Sequence, residues 1–374
     1  MVDTNSKLNL PKLGFGFLRL PMKDNDIDYD TLNVMVDIAM ENGVNYFDTG
    51  YIYLDGDSER ALKRTVVERY PREKYIVTDK MAVWVVDKEE DLDRIFNEQL
   101  ERTGLAYFDY YFIHSIEEVH IAKIEQFNLW GWIAKKKEKG LIKHFGFSFH
   151  DTPECLDRML REHPETEVVQ LQLNYLDWDS PLICARENYE VAVKHNKPVI
   201  VMEPVGGGNL AKLKPELEEK MKNISPDMSI ASWAVRFCLS LEGVSTVLSG
   251  MSTPEQVQDN IATTLGFKPF TKEEEQCLGE VTKALIASPA IKCTGCRYCM
   301  DSCPKNISIP SIISAYNSAL IYDEKARAQN YYDGLLLTTG SAESCIECGN
   351  CEILCPQHLP IREILSEIGE FFKD

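Results

Sequence analysis

Residues 45–69, NYFDTGYIYLDGDSERALKRTVVER, contain one complete unit of the repeat that decides the fold of this chain. The unit begins with a short β-rich run at 45–49 and continues into a stretch of helical period at 58–69. Short runs of aromatic and β-branched residues favour strands, whereas apolar residues three or four positions apart favour helices. The stretch therefore predicts a strand followed by a helix.

The same alternation recurs along the first three quarters of the chain. Strand candidates lie at residues 13–16, 45–49, 75–78, 110–114, 144–148, 168–173, 199–203 and 245–249. Helix candidates follow them, for example at 29–41, 58–69, 89–103 and 116–139. Eight such units favour a closed (β/α)8 TIM barrel over an open sheet, and in that α/β fold the chemistry lies at the C-terminal ends of the strands.

Two cysteine runs of identical spacing, C-x2-C-x2-C-x3-C-P, follow the barrel pattern. This spacing is typical of 4Fe-4S clusters, and the fourth cysteine of each run commonly binds the other cluster. By this rule one cluster is held by Cys293, Cys296, Cys299 and Cys355. The second is held by Cys345, Cys348, Cys351 and Cys303.

Zinc and disulfides are the other chemistries that cysteines suggest. Structural zinc needs four ligands, commonly two C-x2-C pairs, and two triple runs each followed by CysPro exceed that pattern. Residues 1–10 show no secretory signal, which predicts a reducing, cytoplasmic location and argues against disulfides. The remaining cysteines are predicted to be buried core thiols: Cys155, Cys184, Cys238 and Cys277.

The residues between the two runs predict the fold of the tail. Two stretches, 309–319 and 322–331, have helical character, so we expect a mainly α-helical dicluster ferredoxin-like domain. SerPro at 288–289 interrupts a helix candidate. The predicted domains are therefore a barrel at 1–285 and a dicluster domain at 286–374.

Composition excludes several partners. The net charge of −19 would repel nucleic acid. Hydrophobic residues make up 44% of the chain, but no apolar run reaches membrane-spanning length. We therefore expect neither a nucleic-acid partner nor a membrane one.

Four residues near predicted strand ends have the side chains for carbonyl chemistry: Asp48 in FDTG, Tyr53, Lys80 in VTDK and His114 in YFIH. Each alone has an ordinary structural explanation, such as a helix cap or a core histidine. Together, in this order, they resemble the Asp, Tyr, Lys and His tetrad of the aldo-keto reductase family. Further similarity lies at 146–148, 168–170, 202–208 and 252–256, and the dicluster tail resembles an iron-sulfur branch of that family.

The resemblance implies reduction, or formation, of a carbonyl with a nicotinamide cofactor. Tyr53 would donate the proton to the developing alkoxide, with Lys80 beside the phenol. Asp48 would hold Lys80, and His114 would orient the carbonyl of a small-molecule substrate.

The resemblance also implies a set of cofactor contacts. Ser148 and Gln170 would hold the nicotinamide carboxamide close to Asn174, and Met202 takes a position where the family commonly has an aromatic residue. Adenosine would meet Gly250, Gln256, Asp259 and Asn260. The loop 249–256 has no Lys or Arg for a 2′-phosphate, so NADP and NAD both stay open.

Coupling the two halves needs an intermediary, because a nicotinamide transfers two electrons and a 4Fe-4S cluster one. A flavin near the barrel mouth, one-electron reduction of the substrate, and clusters that only stabilise the tail are three possibilities. The first hypothesis is therefore a nicotinamide-dependent carbonyl reductase that carries two 4Fe-4S clusters. The alternative is an electron-transfer protein whose barrel holds a flavin or docks a redox partner.

Overall fold

The computed structural model describes residues 8, 10–24, 26–300, 302–322 and 325–373. The chain divides into two compact units. The barrel unit runs up to Val205 and also includes Ala231–Phe270. The second unit, here called the tail unit, comprises Gly206–Ile230 and the chain from Thr271 onwards.

The predicted closed barrel is confirmed. Its eight parallel strands are β1 (Leu13–Gly16), β4 (Tyr46–Asp48), β5 (Ile76–Ala82), β6 (Phe108–Ile116), β7 (Ile142–Phe149), β8 (Val168–Gln172), β9 (Val199–Met202) and β10 (Val244–Gly250). They close in the order β1-β10-β9-β8-β7-β6-β5-β4. An antiparallel pair, β2 (Met22–Lys23) and β3 (Asp26–Ile27), lies between β1 and the first helix.

The helices of the barrel unit follow the strands. They are α1 (Tyr29–Glu41), α2 (Asp57–Leu62), α3 (Glu90–Thr103), α4 (Glu118–Gln126), α5 (Leu129–Glu138), α6 (Pro153–Glu162), α7 (Ala185–Lys194), α9 (Ile230–Leu239) and α10 (Pro254–Leu265). Local sequence explains several ends. Asp28, Thr152 and Thr253 accept backbone N–H groups at the starts of α1, α6 and α10.

The tail unit is mainly helical, as expected. Its helices are α8 (Pro215–Ile224), α11 (Lys272–Ile286), α12 (Ile309–Tyr322), α13 (Lys325–Leu335), α14 (Asn350–Ile353) and α15 (Ile361–Phe371). A capping box formed by Thr271 and Glu274 begins α11. Among the described residues, no helix is both long and apolar enough to cross a bilayer.

Three details of the sequence prediction are wrong. The helix expected at 116–139 is two helices, because Asn128 adopts a left-handed conformation (φ 45°) between α4 and α5 and caps the second. Residue 116 still belongs to β6. The helix expected at 58–69 continues beyond α2 as a π-turn over Lys63–Val67.

The barrel interior follows the two-residue period of the strands. Alternate residues of the strands form one apolar cluster that is separate from the main core: Tyr46, Tyr110, Phe112, Val168, Ile200 and Leu248. Residues two positions further along the same strands point the same way. This places Asp48, His114, Gln170, Met202 and Gly250 in the next layer, at the C-terminal end of the barrel.

Candidate active site

The structure brings the four tetrad residues together. The ammonium Nζ of Lys80 donates to Asp48 Oδ1 and to the main-chain oxygen of Thr49, the latter at 2.6 Å. The same nitrogen lies 4.8 Å from the centre of the Tyr53 ring. The Tyr53 and His114 rings approach edge to face, with centroids 5.6 Å apart.

Local sequence explains how Tyr53 reaches this cluster. It begins a single 3-10 turn, Tyr53–Gly56, after β4, and its backbone N–H donates to the carbonyl of Gly50 at 2.9 Å. A Cβ at residue 50 would lie 3.2 Å from the Tyr53 ring, so glycine leaves room for the phenol. Left-handed Leu54 and Asp55 then turn the chain into α2.

The acidic and basic members of the tetrad are buried as a pair. Asp48 is 2% exposed and Lys80 is 1% exposed. Burial raises the pKa of Asp48, while Lys80 and the amide of Gln170, 3.2 Å from Asp48 Oδ2, oppose that rise. The ammonium is therefore held by a fixed carboxylate and a fixed carbonyl.

His114 is held in its neutral form. Burial lowers its pKa well below the usual value, and the Lys80 charge acts in the same direction. The ring of Trp84 lies 5.1 Å from the His114 ring. Trp84 also stacks on His120 at 5.2 Å, so an aromatic wall stands beside the tetrad.

The residues predicted to hold the nicotinamide lie at the ends of neighbouring strands. Ser148 and Gln170 are paired in the β7–β8 register and both are buried. Ser148 Oγ accepts from the backbone N–H of Ser115 at 2.8 Å. Met202, the last residue of β9, is half-buried.

Asn174 has a structural task in the loop after β8. Its amide donates to Asp177 at 2.8 Å and to the carbonyl of Glu203 at 3.1 Å, and its Oδ1 accepts from two backbone N–H groups of that loop. The carboxamide of Asn174 therefore closes the loop and ties it to the segment after β9.

The residues predicted to meet adenosine lie around the end of β10 and on α10. Gly250 is exposed at the strand end, and Gln256 accepts from the backbone N–H of Ser252 at 2.7 Å. Asn260 is buried and donates to Ser249 at 2.9 Å, whereas Asp259 is half-exposed.

Sequence analysis missed Arg19, which follows β1 and is far from loop 249–256 in the chain. Its main-chain oxygen accepts from Ser252 Oγ at 3.0 Å, and a Cβ at Gly250 would lie 3.2 Å from its Cδ. The guanidinium reaches Glu203 Oε1 at 3.0 Å. Arg19 therefore packs against this loop while its guanidinium pairs with Glu203, and no motif signalled the contact because the strand order β1-β10 creates it.

The tail unit gathers cysteines from both runs. Four of them line one open pocket: Cys303, Cys345, Cys348 and Cys351. Burial raises the pKa of Cys299, and the thiols of Cys296, Cys293 and Cys355 act in the same direction. Burial raises the pKa of Cys351 to about 11, with Glu352, Cys345 and Cys303 adding to the rise.

The two cysteine loops repeat one backbone conformation. Gly295 and Glu347, at equivalent positions, have φ of 65° and 56°, and Arg297 and Gly349 have φ of 72° and 77°. In each loop the backbone N–H two residues after the first cysteine, that of Gly295 or Glu347, donates to that cysteine's sulfur at 3.4 Å. Such N–H groups stabilise thiolates.

The set of donors fits iron-sulfur chemistry, because both runs keep the spacing of 4Fe-4S ligands and cysteines from the two runs line one pocket. Among the described residues, no three His, Cys, Asp or Glu side chains meet closely enough to hold a single metal ion. Cys155, Cys238 and Cys277 are buried as predicted, whereas Cys184 is half-buried.

The triple glycine at 206–208 belongs to the tail unit. A Cβ at Gly207 (φ 67°) would lie 2.2 Å from the main-chain oxygen of Thr294, in the first cysteine loop. Asn209 next to it donates to the carbonyl of Cys293 at 3.1 Å. The glycine therefore permits close packing against the cysteine loop.

Comparison with known proteins identifies the barrel. Residues 12–281 match the model of the aldo/keto reductase family. The chain belongs to this family. Residues 292–360 match the 4Fe-4S dicluster domain, so the predicted resemblance is confirmed in both parts, and this aldo/keto reductase is an oxidoreductase.

Curated relatives match about three quarters of the chain. An L-galactose dehydrogenase from Arabidopsis thaliana is 26% identical over 306 residues, which is 75% of this chain and 94% of that protein. The uncharacterized oxidoreductase YqkF of Bacillus subtilis (strain 168) is 24% identical over 311 residues, or 74% of this chain and 94% of YqkF.

Solved structures share the fold. The holo form of aldo-keto reductase AKR11C1 from Bacillus halodurans has a TM-score of 0.57 at 23% identity, covering 73% of this chain and 92% of that one. An aldo/keto reductase from Klebsiella pneumoniae in complex with NADP and acetate has a TM-score of 0.58 at 18% identity, over 73% of this chain and 92% of its own.

Proposed function

We propose that the barrel reduces, or forms, a carbonyl group with a nicotinamide cofactor, and that Tyr53 is the proton donor. The observation that carries the proposal is the convergence of Tyr53 and His114 on the buried Lys80–Asp48 pair. A bound nicotinamide supplies or accepts the hydride. The predicted domain division at 285/286 is part of this proposal.

Tyr53 gives its phenolic proton to the oxygen that becomes an alkoxide during reduction. The Lys80 ammonium beside the ring stabilises the resulting phenolate. Asp48 and the Thr49 carbonyl keep that ammonium in place. Neutral His114 can donate one N–H to the substrate oxygen without placing a second positive charge next to Lys80.

We further propose that the cofactor lies across the ends of β7 to β10. Ser148, Gln170 and Met202 would face the nicotinamide, with Asn174 holding the loop beside it. Gly250, Gln256, Asp259 and Asn260 would face the adenosine. Arg19 would supply the cation for a nucleotide phosphate, and the NADP-bound Klebsiella pneumoniae structures favour NADP over NAD.

The tail is proposed to hold two 4Fe-4S clusters with crossed ligands. One set is Cys293, Cys296, Cys299 and Cys355, and the other is Cys345, Cys348, Cys351 and Cys303. The effect of Cys355 on the pKa of Cys299 supports the first set. The effect of Cys303 and Cys345 on the pKa of Cys351, and the pocket that all three line, support the second. Clusters of this kind suit a reducing, cytoplasmic setting and a redox partner protein.

The test uses anaerobically purified full-length protein with NADPH or NADH and a panel of aldehydes. The wild type should consume the nicotinamide, and Tyr53→Phe should lower kcat at least about a hundredfold while leaving nucleotide affinity nearly unchanged. Use of NADH alone would contradict the role of Arg19.

Tyr51→Phe is the matched control. Tyr51 lies two residues before the donor, but its hydroxyl donates to Glu98 at 2.8 Å. We expect this variant to keep carbonyl turnover. Equal turnover by Tyr53→Phe and wild type would refute the assignment of Tyr53 as proton donor. A wild type that consumes no nicotinamide would favour the alternative, an electron-transfer protein whose barrel holds a flavin.

A further inference from the structure

Two fully buried carboxyl groups face each other behind the Lys80 strand. Asp79 precedes Lys80 on β5 and points away from the barrel interior, because successive residues of a strand face opposite sides. There its side chain lies beside that of Glu59, on α2, and each carboxyl group acts on the pKa of the other. Both residues are 0% exposed.

The other oxygens of the pair have defined partners. Asp79 Oδ1 accepts from the Lys80 backbone N–H at 2.8 Å and from Gln99 Nε2 at 2.7 Å. The same Gln99 nitrogen donates to the Lys80 carbonyl at 3.1 Å. Glu59 Oε2 accepts from Arg102 at 3.0 Å.

One oxygen of each carboxyl group is left over. Among the described residues, neither Asp79 Oδ2 nor Glu59 Oε1 has a hydrogen-bond partner, although both atoms are buried. Two ionised carboxylates cannot hydrogen-bond to each other, since neither has a proton to donate. A single proton on one of them satisfies both leftover oxygens.

Charge balance also requires one proton. The charged groups that face the pair are Lys80 from β5 and Arg102 from α3, with Tyr111 on β6 donating its hydroxyl to Gln99 at 2.5 Å. The ammonium of Lys80 is already paired with Asp48 on the other side of the strand. Arg102 alone faces two carboxyl groups, and it also reaches Glu98 at 3.4 Å.

We propose that Asp79 and Glu59 share one proton at neutral pH and act as positioning residues for Lys80. Together with Gln99 the pair fixes the backbone of Lys80 on both sides, so the ammonium meets Tyr53 in one orientation. This role rests on the proposed function of Tyr53 and Lys80, whereas the shared proton does not.

Asp79 is the carboxyl group that carries the proton. Burial raises its pKa well above the usual range, and the charge of Glu59 raises it further. Burial also raises the pKa of Glu59, but its bond to Arg102 opposes the rise. Asn at position 79 can donate to Glu59 and accept from Lys80, as a protonated Asp does.

The first measurement is the infrared difference spectrum of the full-length holoprotein, between neutral and alkaline solution. We expect the wild type to show a C=O band of a buried protonated carboxyl that is missing from Asp79→Asn. A wild type and an Asp79→Asn variant with the same C=O bands at neutral pH would overturn the shared proton, whatever the catalytic activity.

The second measurement is unfolding as a function of pH. Since the pKa of Asp79 is raised on folding, its contribution is fully present below the unfolded pKa and is lost as pH rises toward the folded pKa. The wild-type unfolding midpoint should therefore fall relative to that of Asp79→Asn between about pH 5 and pH 9.

Asp109→Asn is the matched control. Asp109 is also buried, but it faces two cations, Arg72 at 2.5 Å and Lys143 at 3.0 Å. We expect this variant to be less stable than the wild type across the whole pH range. If the unfolding midpoints of wild type and Asp79→Asn differed by the same amount at every pH, the shared proton would be contradicted.

Steady-state kinetics test the positioning role. Asp79→Ala should lower kcat about tenfold or more with little change in KM, and Asp79→Asn should restore most of that loss. Equal losses in the two variants would refute the positioning role. An inactive wild type would refute the proposed function instead, while the infrared and unfolding results would still decide the shared proton.

Discussion

The barrel mouth buries its charges as an opposite pair, whereas the tail buries groups of one sign. In the barrel, Lys80 and Asp48 neutralise each other within the chain. In the tail, the strongest charges acting on Cys299 and Cys351 are other cysteines and Glu352. The barrel site can therefore form from the chain's own residues, but thiolates in the tail need a cation from outside, such as iron.

Removing cysteine ligands from the tail should have the largest effect, which is a loss of iron. Cys303→Ser and Cys345→Ser should each lower the iron content from about eight to about four per chain, because both residues are assigned to the same cluster. Their double variant should resemble either single one. Cys303→Ser with Cys293→Ser should lose nearly all iron, because it removes a ligand from each cluster.

Iron and sulfide analysis measures this prediction, and Cys184→Ala is the control that should keep full iron content. All five tryptophans lie in the barrel unit, so tryptophan emission reports barrel unfolding in the same samples. We expect the barrel midpoint to stay unchanged as the tail loses iron. A Cys303, Cys293 double variant that keeps one intact cluster would contradict the crossed ligands.

Removing one charge from the buried Lys80–Asp48 pair should have the next largest effect, on the stability of the barrel. Lys80→Met leaves Asp48 buried without its cation, which costs about 3–5 kcal/mol of barrel stability, and adding Asp48→Asn should recover part of this. Urea unfolding followed by tryptophan emission measures it. Lys143→Met removes a half-exposed ammonium from Asp109, which keeps Arg72, and should cost about 1 kcal/mol or less. Equal costs at the two sites would contradict the comparison.

Glu117 is a buried acid of the barrel that forms no ion pair with any described residue. Burial raises the pKa of Glu117 to about 7; Ser115 donates to it at 2.9 Å, and the Asp151 charge adds to the rise. Its stabilising contribution is fully present below about pH 4.5 and is lost as pH rises through about 7. The advantage of wild type over Glu117→Gln should therefore fall by about 2.5 kcal/mol from pH 5 to pH 8.

Unfolding at the two pH values measures this change, again by tryptophan emission. Glu138→Gln, at an exposed carboxyl on α5, is the control and should shift stability by less than about 0.5 kcal/mol at either pH. A difference between wild type and Glu117→Gln that is the same at pH 5 and pH 8 would show that Glu117 stays ionised in the folded barrel.

Local patterns predicted most of the fold. All eight strand candidates lie within or overlap the observed strands, because strand propensity and the two-residue period are properties of adjacent residues. The break at Asn128 escaped prediction, since helical spacing continues across it while the backbone turns left-handed. The π-turn after α2 escaped for the same reason: apolar spacing does not record a change of hydrogen-bond partner.

The site was predicted as far as residue types and strand ends allowed. Asp48, Lys80 and His114 each end or nearly end a strand, so a barrel must gather them at one rim. Arg19 was missed because its contact with Gly250 depends on closure between the first and last strands. The Asp79–Glu59 pair was missed because it lies on the other side of the same strand.

By itself, the sequence determined the strand and helix pattern, the tetrad residue types and the two cysteine runs. Each of these depends on spacing along the chain, which backbone geometry converts directly into a shared face or a ligand loop. Only the tertiary structure decided which buried charges are neutralised and by what. A pairing such as Lys80 with Asp48, or Asp79 with Glu59, depends on distances and desolvation between elements that are far apart in the chain.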